Sequence, residues 1–188
     1  MSLIIKNKIQ ELMQGYPTIS DKYDVAPAVL DGDSTAVKAG QLVSMGTTAG
    51  RYTNLKTGSG ITTAALAQIA GFVLATNVKV PNTYPASTVD QTYVAGDAFN
   101  LMIRGFIAVP LGAKFVDDTN GATERGKVKN GVQLAVFLDG PLAGQMTYHG
   151  ATDGETSAKT AVDVPGAYFT GLTEVVDGVC LAEICYNL

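Results

Sequence analysis

The stretch that decides the fold is TEVVDGVCLAEI, residues 173–184. Asp177 and Gly178 lie between two runs that are rich in β-branched and apolar residues. An Asp-Gly pair supplies the positive φ angles of a type I′ turn, which joins two antiparallel strands. The stretch therefore predicts a β-hairpin with strands at 173–176 and 179–184.

Five upstream runs have the same β character, and Gly or Pro residues separate them. In the longest run, Gly105 predicts a bend and Pro110 predicts the end of the strand. About six to nine short strands with frequent turns indicate a mainly β body, either a β-sandwich or a small β-barrel of antiparallel strands. The runs span residues 42–45, 51–55, 69–76, 98–111 and 132–138.

Two segments of the body resemble each other. Residues 38–43 read KAGQLV and residues 94–99 read VAGDAF. Each places an Ala-Gly pair directly before a predicted strand, so the two segments predict similar turns rather than a solenoid repeat.

The N-terminal segment is the best helix candidate. Ile5, Ile9 and Leu12 recur at helical spacing, and Gly15 followed by Pro17 predicts the end of the helix. A helix of about 12 residues is marginal alone in water, so it must pack on its own domain or on a partner protein.

The chain between the helix and the body lacks periodicity. Residues 18–38 contain Pro27 and Gly32 and predict extended chain with turns. We therefore expect two parts, with an N-terminal helix and extended arm at residues 1–36 and a β-rich body at residues 37–188.

Charge and hydropathy exclude several classes of partner. The chain has 13 basic and 17 acidic residues, a net charge of −4, and no basic cluster that could bind nucleic acid or anionic lipid. Residues 58–78 carry no charge, but their Ser, Thr, Gln and Asn residues make them too polar for a membrane span. The first ten residues contain no long apolar run, so we expect no export signal.

No pattern of catalytic or metal-binding residues stands out. His149 is the only histidine, no nucleophile elbow occurs, and the ligands for zinc are too few. Cys180 and Cys185 would lie on opposite faces of a strand, too far apart for a disulfide, which predicts two small buried thiols in a reducing compartment. We expect no enzyme, no metal and no cofactor; a hydrolase that uses His149 is the enzymatic alternative.

Four motifs, in their order along the chain, carry a resemblance to a known family. The first is APAVLDGD at residues 26–33, and the second is the Ala-Gly turn and strand at 39–43. They are followed by GFV at 71–73 and by AGDAFNLM at 95–102 with GFIAV at 105–109. Together these motifs resemble the structural cement, or head decoration, proteins of tailed bacteriophages, as a distant relative over residues 25–111.

The resemblance implies a non-enzymatic virion protein, made in the host cytoplasm, that binds the outer surface of an assembled capsid and reinforces it. It implies the major capsid protein as partner and a homo-oligomer, with a trimer favoured. A soluble β body of low charge with an arm that orders on a lattice fits this role. The alternative is another phage structural subunit, such as a tail-tube or fibre component. The residues expected to contact a partner are Ile4, Ile5, Ile9 and Leu12 of the arm, and Pro27 and Val29 of the first motif.

Overall fold

The computed structural model describes residues 12–19, 23–32, 36–46, 48–55, 68–75, 91–117, 120–154 and 159–187. In this part the protein is mainly β, as the sequence predicts. A 3₁₀ turn at Ala113–Phe115 and a short helix, α1, at Gly121–Arg125 follow the seventh strand. The strands are β1 Asp24–Leu30, β2 Val37–Lys38, β3 Leu42–Met45, β4 Arg51–Asn54, β5 Ile69–Leu74, β6 Thr92–Tyr93, β7 Ala98–Pro110, β8 Gln133–Val136, β9 Met146–Tyr148, β10 Val162–Val176 and β11 Val179–Asn187.

Five of these strands close into a small barrel, one of the two architectures that the sequence left open. The order is β1-β4-β3-β5-β7, and the barrel closes because β1 pairs with β7 as well as with β4. The β1–β4 pair is parallel, with Val29 opposite Arg51, whereas the other pairs among the described residues are antiparallel.

The long strand β7 connects the barrel to a second group of strands. Residues 98–104 of β7 pair with β1 and residues 100–102 pair with β5, whereas residues 104–110 pair with β11. The change of partner falls at Gly105, where the sequence predicted a bend. Beyond β11 the sheet continues through β10 and β8 to β9.

The predicted hairpin is present between β10 and β11. Asp177 and Gly178 have φ angles of 48° and 74°, as a type I′ turn requires, and Val176 pairs with Val179. Both strands are longer than predicted, because β10 continues back to Val162 through a bulge that begins after Phe169.

Successive side chains of the barrel strands point to opposite faces, and each face contributes to a separate core. On one side, residues of β1, β3, β5 and β7 such as Leu30, Val43 and Val73 form the barrel interior. On the other side, Phe72 of β5 packs with the second group of strands, and its ring meets that of Tyr186 edge to face at 4.9 Å between centroids. The barrel and the hairpin are therefore joined through a buried aromatic contact.

The arm is the part of the sequence prediction that the structure describes least. The predicted helix lies almost entirely in residues 1–11, outside the described residues. Asp24–Leu30, assigned to the extended arm, forms β1 and belongs to the barrel. The division into residues 1–36 and 37–188 stays a prediction.

None of the described helices is long and apolar enough to span a membrane.

Candidate interaction surface

Leu12, predicted as a partner contact, is the point where the N-terminal segment is fixed to the body. Its side chain is fully buried against Ala108 of β7 and Leu181 of β11. Its backbone N–H donates a hydrogen bond of 3.0 Å to Glu174 Oε2 on β10. Leu12 therefore anchors the segment on the outer face of the hairpin of its own chain.

The residues after Leu12 hold this anchor in place. The N–H of Gly15 donates to Ala108 O at 2.9 Å, and the N–H of Thr18 donates to Phe106 O at 3.1 Å. The side-chain amide of Gln14 is buried and donates to Ala39 O at 2.7 Å. These contacts fix Leu12, Gln14, Gly15 and Thr18 of the predicted arm on the body of their own chain. Ile4, Ile5 and Ile9 of that arm lie outside the described residues.

Pro27 and Val29 lie on β1, on the outside of the barrel. Pro27 is exposed and Val29 is half-buried. With Phe99 and Asn100 of β7 they line a shallow groove of about 460 Å³. The side chains of Pro27 and Val29 are thus accessible to a partner.

A larger groove, of about 510 Å³, lies where β1 and β11 both meet β7. Tyr23, which is 37% exposed, and the half-buried Phe106 give it an apolar lining. Arg104 Nε and Asp24 Oδ2 form a salt bridge at 3.2 Å across it, with more than half of each side chain exposed. An exposed pair of this kind contributes little to stability, so the groove is held by the strands that form it.

The hairpin between β10 and β11 exposes apolar side chains that were not among the predicted contact residues. Leu172 is 36% exposed and Val175 is 43% exposed. The sequence could have predicted this exposure, because apolar residues continue up to the Asp-Gly turn, where a solvated hairpin usually has polar ones. Exposed aliphatic residues on a hairpin form a surface that a partner can cover.

The structure places His149, the candidate catalytic base, beside a carboxylate. His149 is exposed, and its Nδ1 lies 2.9 Å from both carboxylate oxygens of Asp163. Cys180 is fully buried, Cys185 is half-buried, and both are free thiols. Among the described residues, no group of three or more His, Cys, Asp or Glu side chains could hold a metal ion.

One polar cluster was not predicted at all, and it joins α1 to β9. Glu124 Oε1 lies 2.9 Å from Lys127 Nζ, and Tyr148 Oη donates to Glu124 Oε2 at 2.8 Å. Lys114 Nζ lies 5.2 Å from the centroid of the Tyr148 ring, a cation–π distance. Residues from three separate segments form the cluster, so no local sequence motif predicts it.

The charges of this cluster shift the pKa values of its members. Burial opposes ionisation of Glu124, but hydrogen bonds from Lys127 and Tyr148, with the nearby charge of Lys114, hold its pKa below the usual value. The hydrogen bonds to Tyr148 and Glu124 raise the pKa of Lys127. These contacts favour the charged form of the pair over its neutral form, which fits a structural role in holding α1 against β9.

Comparison with known proteins gives a relationship in fold alone. No family model matches the chain, and neither does any curated protein. A chain in the solved structure of the capsid of Myoviridae phage XM1 has the same fold, with a TM-score of 0.52 and 17% sequence identity. The alignment covers 100% of this chain and 97% of that chain. The shared architecture therefore extends over the barrel and the hairpin together.

Proposed function

We propose that this protein is a non-enzymatic decoration, or cement, protein of a tailed bacteriophage, which binds the outer surface of the capsid and stabilises it. The observation that carries the proposal is the full-length likeness in fold to a chain of the capsid of phage XM1. At this identity fold alone is shared, so the role has to be supported by the residues and tested directly.

The motif resemblance supports the same role independently of the fold comparison. The motif at residues 26–33 begins in β1, the GFV motif lies in β5, and residues 98–102 of the last motif lie in β7. These strands belong to the barrel, where they follow one another in the pairing pattern. The resemblance therefore concerns one coherent structural unit.

The proposed mechanism is adhesion by a rigid body with a projecting segment. Leu12 is fixed on the body, and in this proposal Ile4, Ile5 and Ile9 contact the major capsid protein or a neighbouring copy. Burial of each isoleucine would contribute about 1.5–3 kcal/mol, before the cost of ordering the segment is subtracted. Repeated engagement on a symmetric lattice strengthens such modest contacts.

Pro27 and Val29 provide a second contact surface in this proposal. Both are accessible on the outside of β1, and the groove beside them is shallow, as suits a protein surface more than a small molecule.

We place the protein on the outside of the virion capsid, after synthesis in the host cytoplasm, and favour a homotrimer as the unit that docks.

Co-sedimentation with purified phage heads tests the proposal. The full chain should pellet with heads and saturate at a fixed number of copies per head. In the variant Ile5→Asp/Ile9→Asp, the apparent Kd should rise at least about tenfold, since the loss of two buried apolar contacts exceeds 1.4 kcal/mol. Asn7→Asp is the matched control, because it adds a charge to the same segment without removing an apolar side chain.

Two outcomes separate the parts of this proposal. If the parent chain does not bind heads at all, the decoration role is wrong. If the parent and the double variant bind equally well, the role stands and the arm contact is wrong. Spontaneous tubes or rings in gel filtration and electron microscopy would instead favour a tail component.

A further inference from the structure

Residues 12–18, here called the strap, begin on the outer face of the hairpin and then run along β7. Pro17 forms an antiparallel bridge with Ile107, and the N–H of Ala108 donates to Tyr16 O at 3.3 Å. The same part of β7 is in register with β11. The strap and β11 therefore lie on opposite sides of β7.

The middle of the strap contacts the barrel. The side-chain amide of Gln14 is 3% exposed and donates to Ala39 O at 2.7 Å, in the turn before β3. The carbonyl of Gly15 accepts a hydrogen bond of 2.8 Å from the N–H of Ala75, directly after β5. A Cβ at Gly15, whose φ is 74°, would lie 2.5 Å from Ala39 Cβ. Glycine is therefore required where the strap meets the turn.

A closed ring of hydrogen bonds passes through this contact. The N–H of Ala39 donates to Gln91 O at 2.9 Å, and Gln91 Nε2 donates to Tyr16 Oη at 3.2 Å. The bond from Gln14 to Ala39 O completes the ring, and both glutamine side chains are buried. Because a buried polar group that loses its partner is destabilising, we expect the bonds of the ring to form and break together.

The first residue of the strap is held by the hairpin. Leu12 is fully buried against Leu181 and Ala108. Its N–H donates to Glu174 Oε2 at 3.0 Å. Leu12 and Gln14 are two residues apart, and two residues span at most about 7 Å. Neither attachment can therefore open far while the other holds.

The strap contains less buried apolar surface than the sheet on which it lies. Leu12 is the one fully buried apolar side chain among residues 12–18, all of which the structure describes. Met13 is 37% exposed, and Tyr16 and Pro17 are half-buried. Segments with few buried apolar contacts open at a lower free energy than the core, so the strap can open while the sheet stays folded.

We propose that the strap opens and closes as one unit and thereby couples the outer face of the hairpin to the turn before β3. Loss of the contact at Leu12 loosens the ring around Ala39, and loss of the ring loosens Leu12. A partner that binds beside Glu174 and favours the closed strap stabilises the barrel turn in the same way, because coupling between sites is reciprocal. Use of this coupling by a capsid partner rests on the proposed function, but the strap itself does not.

Amide hydrogen exchange by NMR on the full chain, without phage heads, tests the coupling. The reporters are the backbone amides that bond across the strap, namely those of Gly15, Thr18, Ala75 and Ala108. In the parent they should share one degree of protection, below that of the slowest amides of β8. In Leu12→Ala all of them should exchange faster by a common factor of at least about ten, because the buried anchor is lost. Gln14→Ala, at the barrel attachment, should also accelerate all of them together.

Two further variants complete the experiment. Leu172→Ala is the matched control, because it removes the same side chain from an exposed position on the same hairpin, and it should leave the reporters unchanged. If Leu12→Ala does not fold, Glu174→Gln weakens the same attachment without creating a cavity. It should accelerate all the reporters by a smaller common factor.

Two results would overturn the inference. Faster exchange at Gly15 with no change at Ala75 in Leu12→Ala or Glu174→Gln would mean that the strap frays residue by residue. Protection of the reporters equal to that of the slowest β8 amides in the parent would mean that the strap opens only when the whole protein unfolds. Neither result bears on binding to heads, so the coupling and the decoration role can fail separately.

Discussion

Asp97 closes the turn before β7 by accepting, at Oδ2, a hydrogen bond of 2.8 Å from the backbone N–H of Val94. Gln41 closes the turn before β3 in the same way, since its Oε1 accepts from the N–H of Lys38 at 2.8 Å. The short strands that precede the two turns, β2 and β6, pair with each other. The repeat seen in the sequence therefore builds two equivalent turns, and a two-stranded ribbon connects them.

The two turns differ in what surrounds their glycines, and this difference gives a matched pair of variants. Gly96 has a φ of 85°, and a Cβ there would meet nothing within 4 Å. Gly40 has a φ of 80°, but a Cβ there would lie 3.0 Å from Pro110 Cδ and 3.1 Å from Ala108 O. Gly96→Ala should lower the free energy of unfolding by about 1–2 kcal/mol from backbone strain alone. Gly40→Ala should cost about 1–3 kcal/mol more, because the close-packed neighbours must move.

Urea unfolding followed by circular dichroism would measure both variants. Equal destabilisation would contradict the packing described around Gly40.

The hydroxyl of Tyr186 predicts a stabilising substitution. It is buried and has no hydrogen-bond partner among the described residues, and burial raises the pKa of Tyr186 above its usual value. Tyr186→Phe should therefore raise the free energy of unfolding by about 1 kcal/mol, since it removes an unpaired buried polar group. Tyr93→Phe is the control, because Tyr93 Oη donates to Leu74 O at 3.0 Å and its loss should be destabilising by about 1 kcal/mol. A shift of both melting temperatures in the same direction would refute the assignment.

The ion pair between Glu124 and Lys127 predicts a pH-dependent contribution to stability. Because the folded protein lowers the pKa of Glu124, the contribution is present above the ordinary glutamate value and is lost as the pH falls through the lowered pKa, below about pH 4. Glu124→Gln should cost about 1–2 kcal/mol at pH 7, where it removes a charge-assisted pair, and much less at pH 3. Chemical unfolding at the two pH values would check this, and a cost that did not depend on pH would argue against the ion pair.

The two cysteines should differ in reactivity. Burial raises the pKa of the Cys180 thiol to about 11, and its side chain is fully enclosed, whereas Cys185 is half-buried. A thiol reagent at pH 8 should label one cysteine in the native protein and both in denaturant. Peptide mass spectrometry should place the native label on Cys185, and rapid labelling of Cys180 would show that the hairpin opens.

Much of the local structure could be predicted because it depends on residues close together in the chain. The Asp177-Gly178 turn requires positive φ angles that these residues adopt readily, and the strand at 42–45 matched the observed β3 at both ends. Strand β1 was not predicted, because its structure depends on strands that are distant in the chain. Its residues DVAPAVL lack a clean alternation and contain Pro27, so only pairing with β4 and β7 identifies them as a barrel strand.

The candidate interaction surface was less accessible to prediction. Leu12 lies at helical spacing from Ile5 and Ile9, which predicted a partner contact. Only its burial against Ala108 and Leu181 shows that it packs on its own chain. The exposure of Val175 also depends on the pairing of β10, which among the described residues is with β11 alone beyond Phe169.

The sequence by itself determined the strands β3, β4, β5, β7 and β8, the hairpin of β10 and β11, and the low-charge β character of this protein, because backbone preference and side-chain alternation act over a few residues. The tertiary structure alone decided that β1 closes the barrel against β7 and that Leu12 is fixed beside Glu174. These features bring together residues that are distant in the chain, and their positions follow from burial and hydrogen bonding in the complete fold.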